Sequence, residues 1–305
     1  MGYRRMSGRA RLMSFISAFG LTWTTRNFVR LDDYLSRTII LHLGGMRSHL
    51  PLAGDFEGRA AVIDALQAIE VEFELLSFRI HEVIGKGEKL AVRWSARLAN
   101  RGSGSELATG GMAQVSFVDG RVEFCAVYAD TAALASLMGW AGGAAPLACE
   151  QQVGPLEKSH IGSNRCDIEA FFLAAHEQWH EGRYANVVRA HFHPRARLRF
   201  AGSGLFPAFS GTHIGHEAII AAAGSLMSQF ERVHGHIDDI LVEGNRVSVR
   251  SSLRLRHRET SLKADTDICD AYVMNLDGEI VDWVAYCDTG LLAQLAQRVG
   301  PGNWD

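Results

Sequence analysis

The sequence predicts an α+β protein made of two tandem domains of one fold. Three observations carry this reading. A repeat runs through most of the chain, each copy places helices ahead of strands, and an Asp-Gly turn sits near the end of each copy. Gly54, Gly58, Ala61, Ala65, Phe73, Glu74, Ile80, Val92 and Arg93 recur 157 positions later as Gly211, Gly215, Ala218, Ala222, Phe230, Glu231, Ile237, Val249 and Arg250. After one loop the offset becomes 158. It then matches Val115, Asp119, Gly120, Tyr128, Asp130, Thr131, Leu134 and Leu137 to Val273, Asp277, Gly278, Tyr286, Asp288, Thr289, Leu292 and Leu295. A unit of this size is a domain duplication, not a solenoid.

Taken in order, residues 1 to about 12 read as a basic tail with Arg4, Arg5, Arg9 and Arg11. The first domain is expected over 13–138. It opens with a helix at 14–35 that points Phe15, Phe19, Trp23 and Phe28 inward. A strand at 38–43 and a Gly/Pro loop at 44–58 lead to a second helix at 59–76. Strands follow at 78–84, 90–99 and 108–118, then a turn at Asp119-Gly120, a strand at 121–128 and a short helix from Thr131. An Asp-Gly pair between two strand-like runs is a strong hairpin signal. Residues 139–166 form a Gly-, Ala-, Pro- and Ser-containing linker. The second domain, expected over 167–298, repeats the order: helices at 168–180 and 185–192, a strand at 196–200, a helix at 217–232 and four strands. Helices followed by a mainly antiparallel meander exclude a doubly wound sheet.

A chain of 305 residues accommodates two domains. With 47% hydrophobic and 21% charged residues and a net charge of −3, the composition is ordinary for a globular protein. It argues for neither a nucleic-acid nor a membrane partner. Cys125, Cys149, Cys166, Cys269 and Cys287 show no metal or redox spacing, which points to a reducing, cytoplasmic setting. The short apolar run 12–21 after Arg9 and Arg11 has the look of a signal-peptide core, but Phe15 and Arg26 align with Phe172 and Arg183 inside the second copy's opening helix. The run therefore reads as a helix, and no apolar run is long enough for a membrane span.

Gly215-His-Glu-Ala-Ile219, the run Val242 to Val247, the closing Asp277-Gly-Glu-Ile280, and Asp282, Tyr286 and Asp288 ahead of 291–295 carry a resemblance. The order of elements resembles the nuclear transport factor 2-like superfamily. More closely it is similar to the SnoaL-like branch of polyketide cyclases and ketosteroid isomerase relatives. The likeness covers the second domain, and the first through its repeat. It implies two cone-shaped domains, each a curved sheet wrapped by helices around an apolar pocket. It also implies that such domains pair, here within the chain or as a homodimer. The fold alone does not name a reaction.

Strand alternation over 247–257 turns Val247, Val249, Ser251, Leu253, Leu255 and His257 inward, and Arg250, Arg254 and Arg256 outward toward Asp265 and Asp267. On the next strand Asp270 and Tyr272 then face in. A lone carboxylate on an apolar face needs a partner or a raised pKa. It then serves as acid, base or oxyanion donor, or as a structural carboxylate. Counting back from Gly278, Asp270 falls where the resemblance places an oxyanion-hole aspartate. The tyrosine and base-aspartate places of ketosteroid isomerases hold Ala175 and Phe200. In the first domain the three places hold Ala18, Leu43 and Met112, so that domain is expected to be structural or purely binding. His234, His236 and Asp238 share a strand face, readable as acid–base, metal-binding or solvated. His176 and His180, four apart on a helix, read as surface or core-edge residues. Trp283 alternates inward with Ala285 and Cys287, and Asp288 reads as a helix cap.

The expectation is a SnoaL-like enzyme without metal or organic cofactor, acting in the second domain on a small apolar, carbonyl-bearing molecule. The reaction would be an isomerisation, cyclisation or dehydration. Asp270 and His236 are the candidate catalytic pair, and Phe200, Leu253, His257, Tyr272 and Trp283 the candidate substrate contacts. The alternative is a non-catalytic small-molecule-binding or assembly module.

Overall fold

A computed structural model describes residues 7–45, 50–139, 165–202 and 206–297. The first half opens with α1 (Gly8–Thr25), which Ser7 caps by accepting a hydrogen bond from the Ala10 amide. Arg26 closes the helix in the left-handed region, at φ 54°. The helix therefore begins inside the expected tail, and Leu12 is already core at 1% exposure. The tail arginines are not simply solvated. Arg11 pairs with Glu88 at 2.7 Å, and Arg9 reaches Glu243 of the second half at 2.7 Å.

A 3-10 turn (Phe28–Leu31) leads to β1 (Leu35–Leu43), β2 (Gly54–Glu57), α2 (Arg59–Glu72), β3 (Phe73–Ile84) and β4 (Lys89–Asn100). Then come β5 (Glu106–Val118), β6 (Arg121–Ala129) and α3 (Thr131–Leu137). The second half has α4 (Arg165–His180), α5 (Tyr184–His191), β7 (Phe192–Phe200), β8 (Gly211–Ile214) and α6 (His216–Gln229). It ends with β9 (Phe230–Glu243), β10 (Arg246–His257), β11 (Lys263–Met274), β12 (Ile280–Cys287) and α7 (Thr289–Leu295). The linker expected over 139–166 lies, apart from its ends, outside the described residues.

Each half forms one six-stranded sheet, ordered β2-β1-β6-β5-β4-β3 and β8-β7-β12-β11-β10-β9. Among the described residues only β1–β6 and β7–β12 run parallel. The class is α+β, in two tandem copies, as the repeat predicts. Bulges bend the long strands, as where β9 slips against β10 between Arg250 and Ser251 and again between Arg254 and Leu255. Helices α4, α5 and α6 close over the concave face of the second sheet, and α1 and α2 over that of the first.

The convex faces meet each other. Ile84, Met112 and Tyr128 of the first half pack with Leu241, Cys269 and Tyr286 of the second in one buried cluster. Ion pairs ring it: Lys89 to Asp239 at 2.9 Å, and Arg246 to buried Glu82. Arg250, expected to face outward, lies 5.3 Å over the Phe124 ring, so part of that outer face is interface. Arg254 does pair with Asp265, exposed, at 2.6 Å.

At one end of the interface the repeat forms a reciprocal knot. Asp130 and Asp288 each cap their own helix through the amides of Ala133 and Leu291. Each also takes a hydroxyl hydrogen bond from the other half: Thr289 Oγ1 donates to Asp130 at 2.7 Å and Thr131 Oγ1 to Asp288 at 2.5 Å. The threonines in turn accept from the amides of Ala132 and Gly290. Burial raises the Asp130 pKa, against the hydrogen bonds from Thr289 and the backbone. Thr289→Val keeps the shape but strips one donor and one acceptor from a dry site. It is expected to cost about 2 kcal/mol, read as a lower melting temperature by calorimetry. An unchanged melting temperature would mean that the knot does not hold the halves together.

Candidate functional site in the second half

Val249 stands opposite Asp270 where β10 pairs with β11. The pleat that turns Val249, Ser251, Leu253 and Leu255 to the concave side turns Ile268, Asp270 and Tyr272 the same way. All seven line a cavity of about 160 Å³ under α4, α5 and α6. Its wall is largely aromatic. Tyr272 stacks on Trp283 at 5.6 Å, and Trp179 meets Trp283 edge-on at 5.4 Å. Phe172 lies 4.7 Å from Tyr272.

Asp270 is the acid of this cavity and is 8% exposed. Trp283 Nε1 donates to Asp270 Oδ1 at 2.8 Å. Burial pushes the Asp270 pKa up to about 7. The Trp283 bond and the Arg232 charge oppose this in that order. A carboxyl titrating near neutrality on an apolar wall is suited to moving protons.

Arg232 lines the same cavity. The 217–232 helix expected from the sequence stops at Gln229, and β9 starts at the buried Phe230, so Arg232 is a strand residue. A bulge then turns it inward: Leu255 pairs with Arg232, while the next pair is Arg254 with His234. Gly235 makes the space, since a Cβ there would lie 2.4 Å from Arg232 Nε and 2.6 Å from Nη2. Burial lowers the Arg232 pKa to about 10, which leaves it a cation at neutral pH. Its guanidinium bonds the ring of His176, on α4. Burial first, and then the Arg232 charge, lowers the His176 pKa to about 4, so that imidazole is neutral.

Phe200, Leu253, Tyr272 and Trp283 line the cavity, as does Ala175. His236 does not. The β9 bulges put Ile237 on the concave face and leave His236 outside it, paired with Asp238 at 2.7 Å and largely exposed. His257 is also displaced. It is buried at the β10–β11 turn, hydrogen-bonded to Thr260 and 5.1 Å from the Phe230 ring. The imidazole that does line the cavity is His176, which the sequence reading places at the surface or core edge. Among the described residues no three His, Cys, Asp or Glu side chains gather as a metal cluster.

At the matching positions the first half carries none of this polar set, and strand pairing corrects the alignment of the key one. Val92 and Val249, which match at 157, pair with Ala113 and Asp270. Ala113, not Met112, is therefore the counterpart of Asp270, and Met112 packs in the interface. The one-residue step lies in the following turn, where β11 and β12 are joined by 275–279 and β5 and β6 by Asp119 and Gly120 alone. In this register Tyr272, Trp283, Arg232 and His176 correspond to Val115, Cys125, Leu75 and Phe19. All four counterparts line a separate cavity in the first half.

A family model described as SnoaL-like domain matches residues 7–124 and 172–283. Among solved structures, a presumptive isomerase from Rhodopseudomonas palustris is 19% identical, with a TM-score of 0.40, over 42% of this chain and 95% of its own. A nuclear transport factor 2-like protein from Burkholderia xenovorans LB400 is 21% identical, with a TM-score of 0.37 and coverage of 42% and 95%. A presumptive SnoaL-like polyketide cyclase from Jannaschia sp. CCS1 is 21% identical, with a TM-score of 0.36 and coverage of 44% and 96%. No curated protein matches the chain.

Proposed function

The chain belongs to the SnoaL-like domain family, and from that premise we propose that its second half is a small-molecule enzyme working by acid–base chemistry at Asp270. The carrying observation is a carboxyl with a pKa of about 7 in an apolar cavity that also holds a cation. The substrate class is an apolar molecule bearing a carbonyl group. The Asp270 carboxylate takes a proton from the carbon beside the carbonyl, and the C–H electron pair moves onto oxygen as an enolate. Arg232 is the group that stabilises that negative oxygen. Returning the proton to another carbon gives isomerisation; attack of the enolate carbon on a second carbonyl, whose oxygen takes the proton from Asp270, gives cyclisation; and loss of a β-hydroxyl, which takes that proton and leaves as water, gives dehydration.

Trp283 is a positioning residue that holds the carboxyl by a hydrogen bond, and Tyr272 stacks on its indole. Neutral His176 holds the guanidinium, and Arg232, not His236, is the charged group that shares the cavity with Asp270. Three free thiols, Cys125, Cys269 and Cys287, accord with work in the cytoplasm. The binding-module alternative would be favoured by a cavity filled with aromatics and an Asp270 bonded to backbone. A side-chain partner on Asp270 and about 160 Å³ of open space support the enzyme instead.

The test is exchange in heavy water. Apolar ketones incubated with the protein should lose their α-proton NMR signals, at a rate that rises with pH through about 7 as Asp270 ionises. Ketones that bind without any exchange would put the binding module in its place.

A further inference from the structure

Ser251 interrupts a hydrocarbon row. The cavity-facing positions of β10 are Val249, Ser251, Leu253 and Leu255, and Ser251 pairs with Ile237 on β9 and Ile268 on β11. It is 5% exposed, and its hydroxyl has no hydrogen-bond partner among the described residues. Nor is that hydroxyl one of the polar atoms sealed inside the core: it opens on the cavity. An unsatisfied hydroxyl in an apolar wall calls for a partner brought by a ligand. The place is central. Val249 stands opposite Asp270, so Ser251 lies diagonally across from the acid, with about 7 Å between the two β-carbons. On its other side Leu253 pairs with Gly235, over which the Arg232 guanidinium lies. A molecule that offers a carbon to Asp270 and an oxygen to Arg232 therefore passes over Ser251. At the matching places of the first half, Trp94 and Phe78, stacked rings fill the space.

We propose that the substrate of the second half is a compact carbonyl compound of one ring, carrying a second oxygen close to the carbonyl that accepts a hydrogen bond from Ser251. That oxygen is a hydroxyl, an ether or another carbonyl. The size follows from the space. A cavity of about 150 Å³ takes up benzene, and this one measures about 160 Å³. It holds one ring with its substituents, and a fused three-ring skeleton exceeds it. Phe172, Trp179, Phe209 and Phe230 wall the space with rings, so widening it means repacking the core. Ser251 is then a specificity-determining residue: a site built to bond a substrate oxygen rejects the analogue that lacks it. The inference deepens the acid–base reading of this site and rests on it for the role of the carbonyl. The ring size and the second oxygen rest on the cavity and on Ser251 alone.

The test titrates the full chain by calorimetry with 2-methoxycyclohexanone, with 2-ethylcyclohexanone, which has a methylene in place of the ether oxygen, and with the fused three-ring ketone tetrahydrophenanthrenone. Nuclear Overhauser contacts to labelled Val249 and Ile268 methyls locate the bound ring. The methoxy ketone is expected to bind about fivefold tighter than the ethyl ketone, and the three-ring ketone at least about tenfold more weakly than either. Ser251→Ala should reverse the order of the first two, because the ether oxygen then loses its donor. An ethyl ketone that binds the parent as tightly, a three-ring ketone that does so, contacts missing from both methyls, or a methoxy preference that survives in Ser251→Ala would each overturn the inference. The α-proton exchange of the same ketones is followed in heavy water. No exchange with the ranking intact would remove the acid–base reading and leave the ring size and second oxygen standing. Exchange with the ranking lost would do the reverse. Ranking and contacts are read on the unsubstituted protein, so they decide the matter even if the variant does not fold.

Discussion

Asp270→Asn is expected to unfold at a higher temperature than the parent protein at pH 8, and to have lost at least about a hundredfold in α-proton exchange. The two changes share a cause. Between about pH 4 and pH 7 the folded chain holds a proton on Asp270 that the unfolded chain has released. Stability must then fall as pH rises through that window, by up to about 1.4 kcal/mol per unit. Above pH 7 the folded protein carries a carboxylate that burial disfavours. Asparagine accepts the Trp283 hydrogen bond and carries no charge. The gain at pH 8 should be about 2–4 kcal/mol, shrinking toward zero at pH 4. Melting curves of parent and variant at four pH values check this. Profiles that run parallel across the range would mean that Asp270 titrates as an ordinary surface acid, and the acid–base reading would fall with it.

Arg232→Met should act in the opposite electrostatic sense. The Arg232 charge holds the Asp270 pKa down, so its removal should carry that pKa above its present value of about 7. The pH–rate profile then moves to the alkaline side, and turnover falls about 10²–10³-fold through loss of the oxyanion partner. Gly235→Ala should reproduce a weaker form of both effects, because the new methyl group occupies the guanidinium's place. Carbon-13 titration of the Asp270 carboxyl reads the shift directly in all three proteins. If it titrates identically in parent and Arg232→Met, the cation does not act on the acid and another group must stabilise the enolate.

The sequence carries the duplication, the order of elements and the inward face of β11, since each rests on local periodicity or on residues recurring at a fixed offset. Asp270 was legible for that reason: one alternation, read from Val247 through β10 into its neighbour, places it. Arg232 and His176 were not. Alternation fails at a bulge, and β9 has two, so His236 is carried out of the cavity and Arg232 into it. The signal that was present is Gly235, a glycine in mid-strand, where another group approaches closely. The displaced counterpart of Asp270 has a related cause. Val115 and Val273 match at the later offset, but the extra residue lies beyond them, in the turn from 275 to 279. There Asn275 Oδ1 accepts from the amides of Asp277 and Glu279, giving the longer connection its own stable shape.

Two like domains joined back to back in one polypeptide meet by an intramolecular step. Dilution cannot part them as it parts a dimer of separate chains, because each half sees the other at an effective concentration fixed by their tether. A dimer of identical subunits also receives every substitution twice, so a change that suits one pocket is imposed on its twin. Here each change falls once. One half can line its cavity, among the described residues, with apolar side chains while the other holds an acid and a cation, and both lean on the same knot of Asp130, Thr131, Asp288 and Thr289.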